Sequence, residues 1–343
     1  MPAGPQRASP DGAAAPVVGV DVGGTKVAVA LIENGEIVDA LERPTDVASS
    51  EALLAGIEMV VEELVARTGA SPARAGVGVP SQIDFATGCV VSSVNIPLAG
   101  VELRVELGRR LAMPVVVDND ANCAALAEAQ VTPGGPTSHL VMYTLGTGVG
   151  GGVVIDGRIF RGASGLGAEL GHVVVDENGP QCPGNCPGWG CIEAFCSGTA
   201  LERDATEVGE ARPDSRLGRL VAESGVARGR EVVEAAQDGD SAARDLLKRL
   251  GRHLGVGLAG AVNTFEPQHV VIGGGLSRAG DLFLESARTE AAARALPALF
   301  ERVSISIARR GSEAGVVGAG LLALHELEPA GDTAASEATE GET

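Results

Sequence analysis

The stretch that decides the fold is residues 17–42, VVGVDVGGTKVAVALIENGEIVDALE, near the start of the chain. Runs of aliphatic residues predict three strands there, and the Asn34-Gly35 pair is typical of a hairpin turn. The predicted strands are 17–21, 27–32 and 36–41. A helix with apolar residues at helical spacing follows at 50–68, before a buried strand at 75–79. Strands that alternate with helices indicate an α/β fold, in which ligands bind at the strand ends.

The opening pattern recurs in residues 139–162, HLVMYTLGTGVGGGVVIDGRIFRG, as strand, glycine turn, strand, turn and strand. A shift of 123 residues places Gly146 on Gly23. This is either a chance likeness between two hairpins or the mark of an internally duplicated α/β protein with a glycine turn in each half. The other predicted elements are strands at 114–118, 269–272 and 303–308 and helical stretches at 122–130, 197–262 and 314–324.

Composition narrows the classes of function. The 343 residues include 26 Lys+Arg and 45 Asp+Glu, a formal charge of −19. This argues against a nucleic-acid partner, because binding of phosphates needs a basic surface. Hydrophobic residues make up 45% and aromatic residues only 2%, so we expect an aliphatic core, and the length allows two domains.

Both ends of the chain differ in composition from the middle. Residues 1–16 are rich in Ala and Pro, and residues 328–343 carry several acids and no Lys or Arg, so we expect a disordered extension and a disordered acidic tail. Residues 1–16 contain no apolar targeting segment, and no apolar run approaches the length of a membrane span. We therefore expect a soluble, cytoplasmic protein with no membrane partner.

Three glycine-rich turns follow predicted strands: DVGGTK at 21–26, LGTGVGGG at 145–152 and VVIGGGL at 270–276. Glycines let backbone N–H groups approach an anion, so three such turns at strand ends favour a nucleotide held between two halves. A tight hairpin without a ligand is the alternative for any one of them. Lys26 and Lys248 are the only lysines, so Lys26 is either a phosphate-binding charge or a solvated turn residue.

The segment PVVVDNDAN at 114–122 places polar side chains at the end of a strand. A hydroxyl that attacks a phosphoryl group needs a carboxylate to orient it and accept its proton. Asp120 is our candidate for that general base, with Asn119 as a hydrogen-bonding partner of the same substrate. The alternative is that these residues only begin a helix and cap it.

A cysteine-rich loop follows His172, with Cys182, Cys186 and Cys191. Three thiolates and one imidazole suit a closed, tetrahedral structural zinc site. A disulfide or free thiols are the alternatives. Trp189, the only Trp, lies in the same loop and could either cover a substrate or pack into the protein.

Taken together, the motifs resemble the ROK family of sugar kinases and sugar-responsive repressors. The matching segments, in chain order, are DVGGTK, VVVDNDANCAALAE, LGTGVGGGVV, GAELGH, the cysteine loop with CIEAFCSG, and VVIGGGLS. The resemblance covers roughly residues 17–327. It implies a two-lobed, actin-like ATPase fold of the hexokinase and ribonuclease H-like type, with duplicated βββαβαβα halves. The implied lobes are a small one at 17–123, joined by helix 314–327, and a large one at 124–313 that contains the zinc loop 172–191.

The resemblance also implies roles for individual residues. Asp120 is the implied general base. The implied sugar-binding residues are Asn119, Asp120, Glu169, His172 and Glu193, with Ser81 in a loop near the sugar. The implied ligands of ATP and Mg²⁺ are Asp21, Gly23, Gly24, Thr25, Lys26, Thr147, Gly148, Gly273, Gly274 and Gly275. The structural Zn²⁺ is held by His172, Cys182, Cys186 and Cys191.

Two features depart from the family pattern. The family's C-x-C-x4-C is C-x3-C-x4-C here, which changes the path of the loop. Ser81 stands where the family usually has Gly, and its hydroxyl could contact a substituent of the sugar or narrow the pocket. The second departure bears on which sugar is bound and leaves the class of reaction unchanged.

The implied activity is ATP-dependent phosphorylation of a hexose, with glucose at O6 as the first expectation. Other sugars (N-acetylmannosamine, N-acetylglucosamine, fructose, allose), polyphosphate as the donor, or a sensor that binds sugar without turnover are the alternatives. A repressor needs a helix-turn-helix of about 60 residues. Only sixteen residues precede Val17, so we expect an enzyme, and the resemblance implies a homo-oligomer, dimer or tetramer.

Overall fold

The computed structural model describes residues 15–184 and 186–327. The predictions of disorder for the two ends concern residues outside this range, apart from Ala15 and Pro16. The strands are β1 (Val17–Val22), β2 (Lys26–Glu33), β3 (Glu36–Pro44), β4 (Ala75–Val79), β5 (Ser81–Asp84), β6 (Cys89–Ser93), β7 (Val115–Asn119), β8 (Leu140–Leu145), β9 (Val149–Ile155), β10 (Arg158–Ile159), β11 (His269–Gly273) and β12 (Ser304–Ile307).

The α-helices are α1 (Ser50–Thr68), α2 (Leu103–Leu111), α3 (Asp120–Ala129), α4 (Glu193–Cys196), α5 (Gly198–Ala211), α6 (Arg216–Ser224), α7 (Gly229–Gln237), α8 (Ser241–Phe265), α9 (Asp281–Arg294), α10 (Pro297–Phe300) and α11 (Ala314–Glu326). Of the residues described, none belongs to a helix with both the length and the apolar character that a membrane span requires.

Two five-stranded sheets share one topology. The first has the order β3-β2-β1-β4-β7 and the second β10-β9-β8-β11-β12. In each, two antiparallel strands precede a parallel segment, β1-β4-β7 in one and β8-β11-β12 in the other. This common order confirms the prediction of a duplicated α/β protein over the chance likeness of two hairpins.

The helices and sheets form five layers with aliphatic cores between them. Helices α1 and α2 cover the outer face of the first sheet, and α8 with α9 and α5 lies on the outer side of the second. Helices α3 and α11 fill the space between the sheets, where they pack against each other and bury Ala and Leu side chains. The middle layer brings residues of both sheets to one site.

Helix α11 lies unusually close to the first sheet, although it ends the described chain. A Cβ atom at Gly19 of β1 would collide with the Val316 carbonyl, and one at Gly76 of β4 with the Ala319 carbonyl. Glycine at these two positions therefore lets the helix backbone rest directly on the strands. Through this contact the last helix belongs to the core of the first sheet.

Most predicted elements are present, with bounds that differ by one to three residues. Helix α1 has the predicted bounds, whereas α3 begins at Asp120, two residues before the predicted start. The sequence patterns did not predict the β5–β6 hairpin, α2, α9 or α10. The two strands of the hairpin are short, and α9 is rich in Ala and charged residues, which blurs its apolar stripe.

Candidate active site

Acidic side chains meet where the parallel strands of the first sheet end. Asp21 of β1 pairs in register with Gly78 of β4, which pairs in register with Asp118 of β7. Two strand spacings place the Cα atoms of these acids roughly 10 Å apart. Helix α3 begins two residues after Asp118, so Asp120 lies at the same edge.

Asp120 is the first residue of α3, and Asn119 caps that helix. The Asn119 Oδ1 accepts hydrogen bonds from the backbone N–H groups of Ala121, at 2.9 Å, and Asn122, at 3.4 Å. Burial raises the pKa of Asp120 above its ordinary value, and the Glu169 carboxylate adds to the rise. The capping interpretation is thus correct for Asn119. Asp120 is left as a half-buried carboxyl group with a raised pKa.

Asp21 sits against the first turn of α11. A Cβ atom at Gly315 would collide with the Asp21 carboxylate, so only glycine at 315 leaves room for this acid. Burial raises the pKa of Asp21 to about 7, and the neighbouring Asp120 adds to the rise, whereas Lys26 opposes it. A pair of half-buried carboxylates of this kind favours a cation between or beside its members.

The DVGGTK turn joins β1 to β2 as a tight hairpin. The Gly23 N–H donates to the Lys26 carbonyl at 2.8 Å, and the Thr45 hydroxyl donates to the Gly23 carbonyl at 2.7 Å. Gly24 and Thr25 are exposed at its tip, and the Lys26 ammonium pairs with Glu42 of β3. The turn is therefore rigid, with its tip open to a ligand and its lysine already partnered.

The other two glycine turns lie side by side at the ends of β8 and β11. Gly274 has a φ of +83° and packs directly on the backbone of Leu145, at the start of the LGTG turn. Gly146 and Gly275 have open space where a side chain would lie. Thr147 is exposed, and its carbonyl accepts hydrogen bonds from the Thr199 hydroxyl at 3.0 Å. The two turns thus form one open cradle.

The glycines of β9 have a different role from the one expected of a phosphate-binding run. A Cβ atom at Gly150 or Gly152 would collide with Thr144 or with helix α3, and one at Gly151 with the Leu170 side chain. These three residues therefore allow α3 and the segment before His172 to pack on either face of β9. Of the LGTGVGGG segment, only the first part faces open space.

The candidate sugar-binding residues are brought together from several elements. The Glu169 carboxylate accepts a hydrogen bond from Gln82 Nε2 at 3.2 Å, which links the segment after β10 to the β5–β6 hairpin. The Asn119 amide donates to the Ser81 carbonyl at 3.3 Å. The Ser81 hydroxyl is buried and donates to Ser93 Oγ at 2.9 Å, so it acts within the hairpin in this structure.

Glu193, at the start of α4, is buried and turned toward the LGTG turn. Its Oε2 accepts the Val149 N–H at 2.8 Å, and its Oε1 lies 3.6 Å from Cys182 Sγ. Glu193 therefore connects the cysteine loop to the cradle. Trp189, by contrast, is 58% exposed, so of the two alternatives for this residue the one in which it packs into the protein is wrong.

His172, Cys182, Cys186 and Cys191 form a metal-ligand cluster, with one donor atom from each within 4.8 Å of the others. The His172 Nδ1 lies 3.6 Å from Cys182 Sγ, and the Cys186 and Cys191 sulfurs are 3.9 Å apart. Tetrahedral Zn²⁺ with ordinary bond lengths places thiolate and imidazole about 3.5 Å apart and two thiolates about 3.8 Å apart. The four residues fit a zinc ion, and all three cysteines are free rather than disulfide-bonded.

Comparison with known proteins gives the family. Residues 17–326 match the ROK family. The chain belongs to the ROK family. It is 36% identical to the glucokinase of Halalkalibacterium halodurans, over 89% of this chain and 94% of that protein, and 36% identical to the glucokinase of Thermotoga maritima, over 88% and 95%. The crystal structure of a ROK family glucokinase from Streptomyces griseus with glucose and AMPPNP is 32% identical and superposes with a TM-score of 0.77, covering 90% of this chain and 98% of that one.

As a ROK protein, the chain has the actin-like ATPase fold that its two duplicated sheets display. The expected fold class is thereby confirmed. Three contributors to the site could not be singled out from sequence: Gln82, which holds Glu169; Gly315, which makes room for Asp21; and Arg161, which pairs with Asp118. Each acts on a residue far away in sequence, so no local pattern marks it.

Proposed function

We propose that this ROK protein is an ATP-dependent hexose kinase that transfers the γ-phosphoryl group to O6 of glucose. The observation that carries the proposal is the placement of Asp120, a half-buried carboxyl group at an edge it shares with Asp21 and near Glu169. The ROK glucokinases named above support the choice of glucose.

In the proposed reaction the hexose lies against Asn119, Asp120, Glu169, His172 and Glu193. The Asp120 carboxylate accepts the O6 proton while O6 forms a bond to the γ-phosphorus and the bond to the bridging oxygen of ADP breaks. A base whose pKa is raised toward neutrality takes up this proton better than an ordinary aspartate. Closure of the two lobes would exclude water, which otherwise competes for the phosphoryl group.

The ATP phosphates are proposed to lie across the glycine turns of both sheets. Mg²⁺, when bound with ATP, neutralises charge on the phosphates. Asp21 is our candidate for its carboxylate ligand, since it lies beside the open turn. The proposed ATP-binding residues are Gly23, Gly24, Thr25, Lys26, Thr147, Gly148, Gly273, Gly274 and Gly275. Among them Lys26 would have to leave Glu42 to reach a phosphate, and the exposure of that pair makes the exchange inexpensive.

Zn²⁺ at His172, Cys182, Cys186 and Cys191 would have a structural role, because four protein ligands leave no open position. With its Nδ1 on the cluster, His172 keeps Nε2 for a sugar hydroxyl. Ser81 remains a proposed contributor to sugar choice through its carbonyl, which holds Asn119.

The proposed division into lobes follows the two sheets: residues 17–123 with helix 314–327, and residues 124–313. The close contact of α11 with β1 and β4 supports the assignment of the last helix. We also propose a cytoplasmic homo-oligomer, dimer or tetramer. Sedimentation equilibrium of the full chain tests the oligomeric state, and a monomer at all concentrations would contradict it.

An assay of ADP release over a panel of hexoses tests the proposed activity. We expect the highest kcat/KM with glucose and ATP, and lower values with N-acetylglucosamine, N-acetylmannosamine, fructose and allose. Replacement of ATP by polyphosphate tests the donor. Sugar binding by calorimetry without ADP release would contradict the kinase proposal and support a sensor.

A further inference from the structure

Arg161 is held by three elements that meet beside the candidate active site. It follows β10 of the second sheet, and its side chain is only 12% exposed. Its Nε donates to Asp118 Oδ2 of β7 at 2.6 Å, and its Nη2 donates to Glu326 Oε1 of α11 at 2.9 Å. Its guanidinium carbon lies 3.6 Å from the centre of the Phe85 ring, after β5. One guanidinium group therefore links the second sheet to β7 of the first sheet, to helix α11 and to the segment after β5.

Asp118 connects Arg161 to helix α3, which begins with Asp120. Its Oδ1 accepts the Asn119 N–H at 2.7 Å and the Asn122 side-chain amide at 2.8 Å. These two residues lie on either side of Asp120. Asp118 itself is 2% exposed, and Arg161 is its counter-ion. The Arg161–Asp118 pair therefore fixes the first turn of α3, where Asp120 sits.

The same arginine anchors the segment that carries the sugar-binding acid. Gly165, four residues later, approaches the β5–β6 hairpin so closely that a Cβ atom there would collide with the backbone of Ile83 and Phe85. Glu169 then meets Gln82 of that hairpin at 3.2 Å. Residues 161–169 thus lead from the second sheet to the β5–β6 hairpin, with Arg161 at one end of the segment and Glu169 at the other.

We propose that Arg161 is a positioning residue that fixes Asp120 and Glu169 relative to each other across the two lobes. The proposal rests on the hexose kinase function proposed above, and Arg161 would touch neither sugar nor nucleotide. A carboxylate base displaced by about 1 Å loses on the order of a hundredfold in rate. Among the residues that the structure describes, the partners of the Arg161 guanidinium are Asp118, Glu326 and Phe85, which lie outside the glycine turns at β1, β8 and β11. We therefore expect the ATP site to be unaffected.

Arg310 offers a matched control. Its side chain is 10% exposed and donates to Glu36 Oε1 at 2.9 Å, so it is as buried as Arg161 and is paired with a carboxylate, although Glu36 is exposed where Asp118 is buried. It joins the start of α11 to the β2–β3 hairpin, at the end of that hairpin away from the DVGGTK turn. Its backbone N–H donates to Glu128 of α3 at 2.7 Å, a bond that a side-chain substitution leaves in place. Loss of the Arg310 side chain therefore removes only its hydrogen bonds to Glu36 and to the Gly35 carbonyl.

The test compares Arg161→Met and Arg161→Lys with Arg310→Met and Arg310→Lys in the full chain. We expect Arg161→Met to raise the hexose KM about tenfold and lower kcat/KM about a hundredfold, with the ATP KM within about twofold of wild type. Arg161→Lys keeps the positive charge but lacks the planar guanidinium group that binds two acids at once. We therefore expect its kcat/KM to lie between those of wild type and Arg161→Met. The Arg310 variants should keep both KM values. Equal losses in both pairs, or an unchanged hexose KM in Arg161→Met, would overturn the proposal.

Hydrogen exchange separates this proposal from the function on which it rests. We expect the amides of Ala121 and Asn122 to exchange faster in Arg161→Met than in Arg310→Met, whether or not the wild type turns over a hexose. If the wild-type protein phosphorylates no sugar, only the proposed kinase function is contradicted. If these amides exchange at equal rates in both variants, the proposed role of Arg161 is contradicted.

Discussion

The two sheets have the same strand order but opposite chemistry at the ends of their parallel strands. The first ends in two acids, the half-buried Asp21 and the buried Asp118, with Asp120 just beyond. The second ends in open glycine turns, and the shift of 123 residues that aligns the halves places Thr144 on Asp21. The two sheets thus share one frame, and in the proposed function one edge supplies a proton acceptor and the other a cradle for phosphates. The predictions below test that division of roles.

The largest effect is expected at the acidic edge. Asp120→Asn should lower kcat by about 10³-fold, near the middle of the range for loss of a general base, with little change in hexose affinity. Steady-state kinetics and calorimetry with glucose measure the two quantities. Asp281→Asn is the matched control, because Asp281 is the first residue of α9 as Asp120 is of α3. Similar losses in both variants would show that Asp120 acts only at the helix terminus.

The sequence predicted which residues lie at the two strand edges better than it predicted the contacts that hold those residues in place. Strand ends followed by glycines, or by Asp118 to Asp120, are local patterns, and the structure has turns and a helix start at those places. The contact of Asp21 with Gly315 and the pair of Arg161 with Asp118 join residues far apart in the chain. Such contacts depend on how layers stack, and no pattern of neighbours encodes them.

The glycines of β9 show a second limit of prediction from sequence, because here a local pattern indicated a ligand where the structure has packing. Their density suggested a ligand, but Gly150 and Gly152 make room for α3, and Gly151 for Leu170. Glycine is required both where another part of the protein packs closely against a strand and where a phosphate does so. Only the stacking of α3 on the second sheet distinguishes the two cases.

The pH dependence of folding is expected to report the acids of the first sheet. Burial raises the pKa of Asp21 to about 7 in the folded chain, whereas its ordinary value is 3.8. The folded state therefore binds more protons between these values, and the free energy of unfolding falls by at most about 1.4 kcal/mol per pH unit from pH 4 to pH 7 through this group. Above pH 7 the loss is complete, and below pH 4 it is absent.

Denaturant unfolding of the metal-free protein at several pH values measures this slope. Asp21→Asn should remove the contribution of this carboxyl group to the pH dependence. The free energy of unfolding of the variant should therefore increase relative to that of wild type as the pH rises to 7. Mg²⁺ should reduce the difference, since a cation favours the charged carboxylate. A constant difference between the two proteins across this range would mean that Asp21 titrates normally.

A smaller effect is expected at the zinc cluster, which is attached to the second half of the molecule. Cys186→Ser should reduce the zinc content well below one ion per chain and raise the hexose KM about tenfold, because the His172 ring loses its anchor. Metal analysis by mass spectrometry and steady-state kinetics check both. Cys196→Ser is the control, since Cys196 is buried away from the cluster. Unchanged zinc in Cys186→Ser would contradict the proposed ligand set.

The smallest effect is expected at the glycine edge, where we propose that the backbone rather than a side chain binds the phosphates. Gly274 has a φ of +83° and lies on the Leu145 backbone, so Gly274→Ala forces a left-handed alanine, at a cost of about 1–2 kcal/mol, and pushes the two turns apart. We expect the ATP KM to rise severalfold with the hexose KM unchanged, the reverse of the Arg161 variants. Gly260→Ala is the control, because Gly260 lies in α8 with open space around its Cα and alanine there favours the helix. A rise in the hexose KM for Gly274→Ala would mean that the cradle and the acidic edge are not separable, and the comparison between the two sheets would have to be given up.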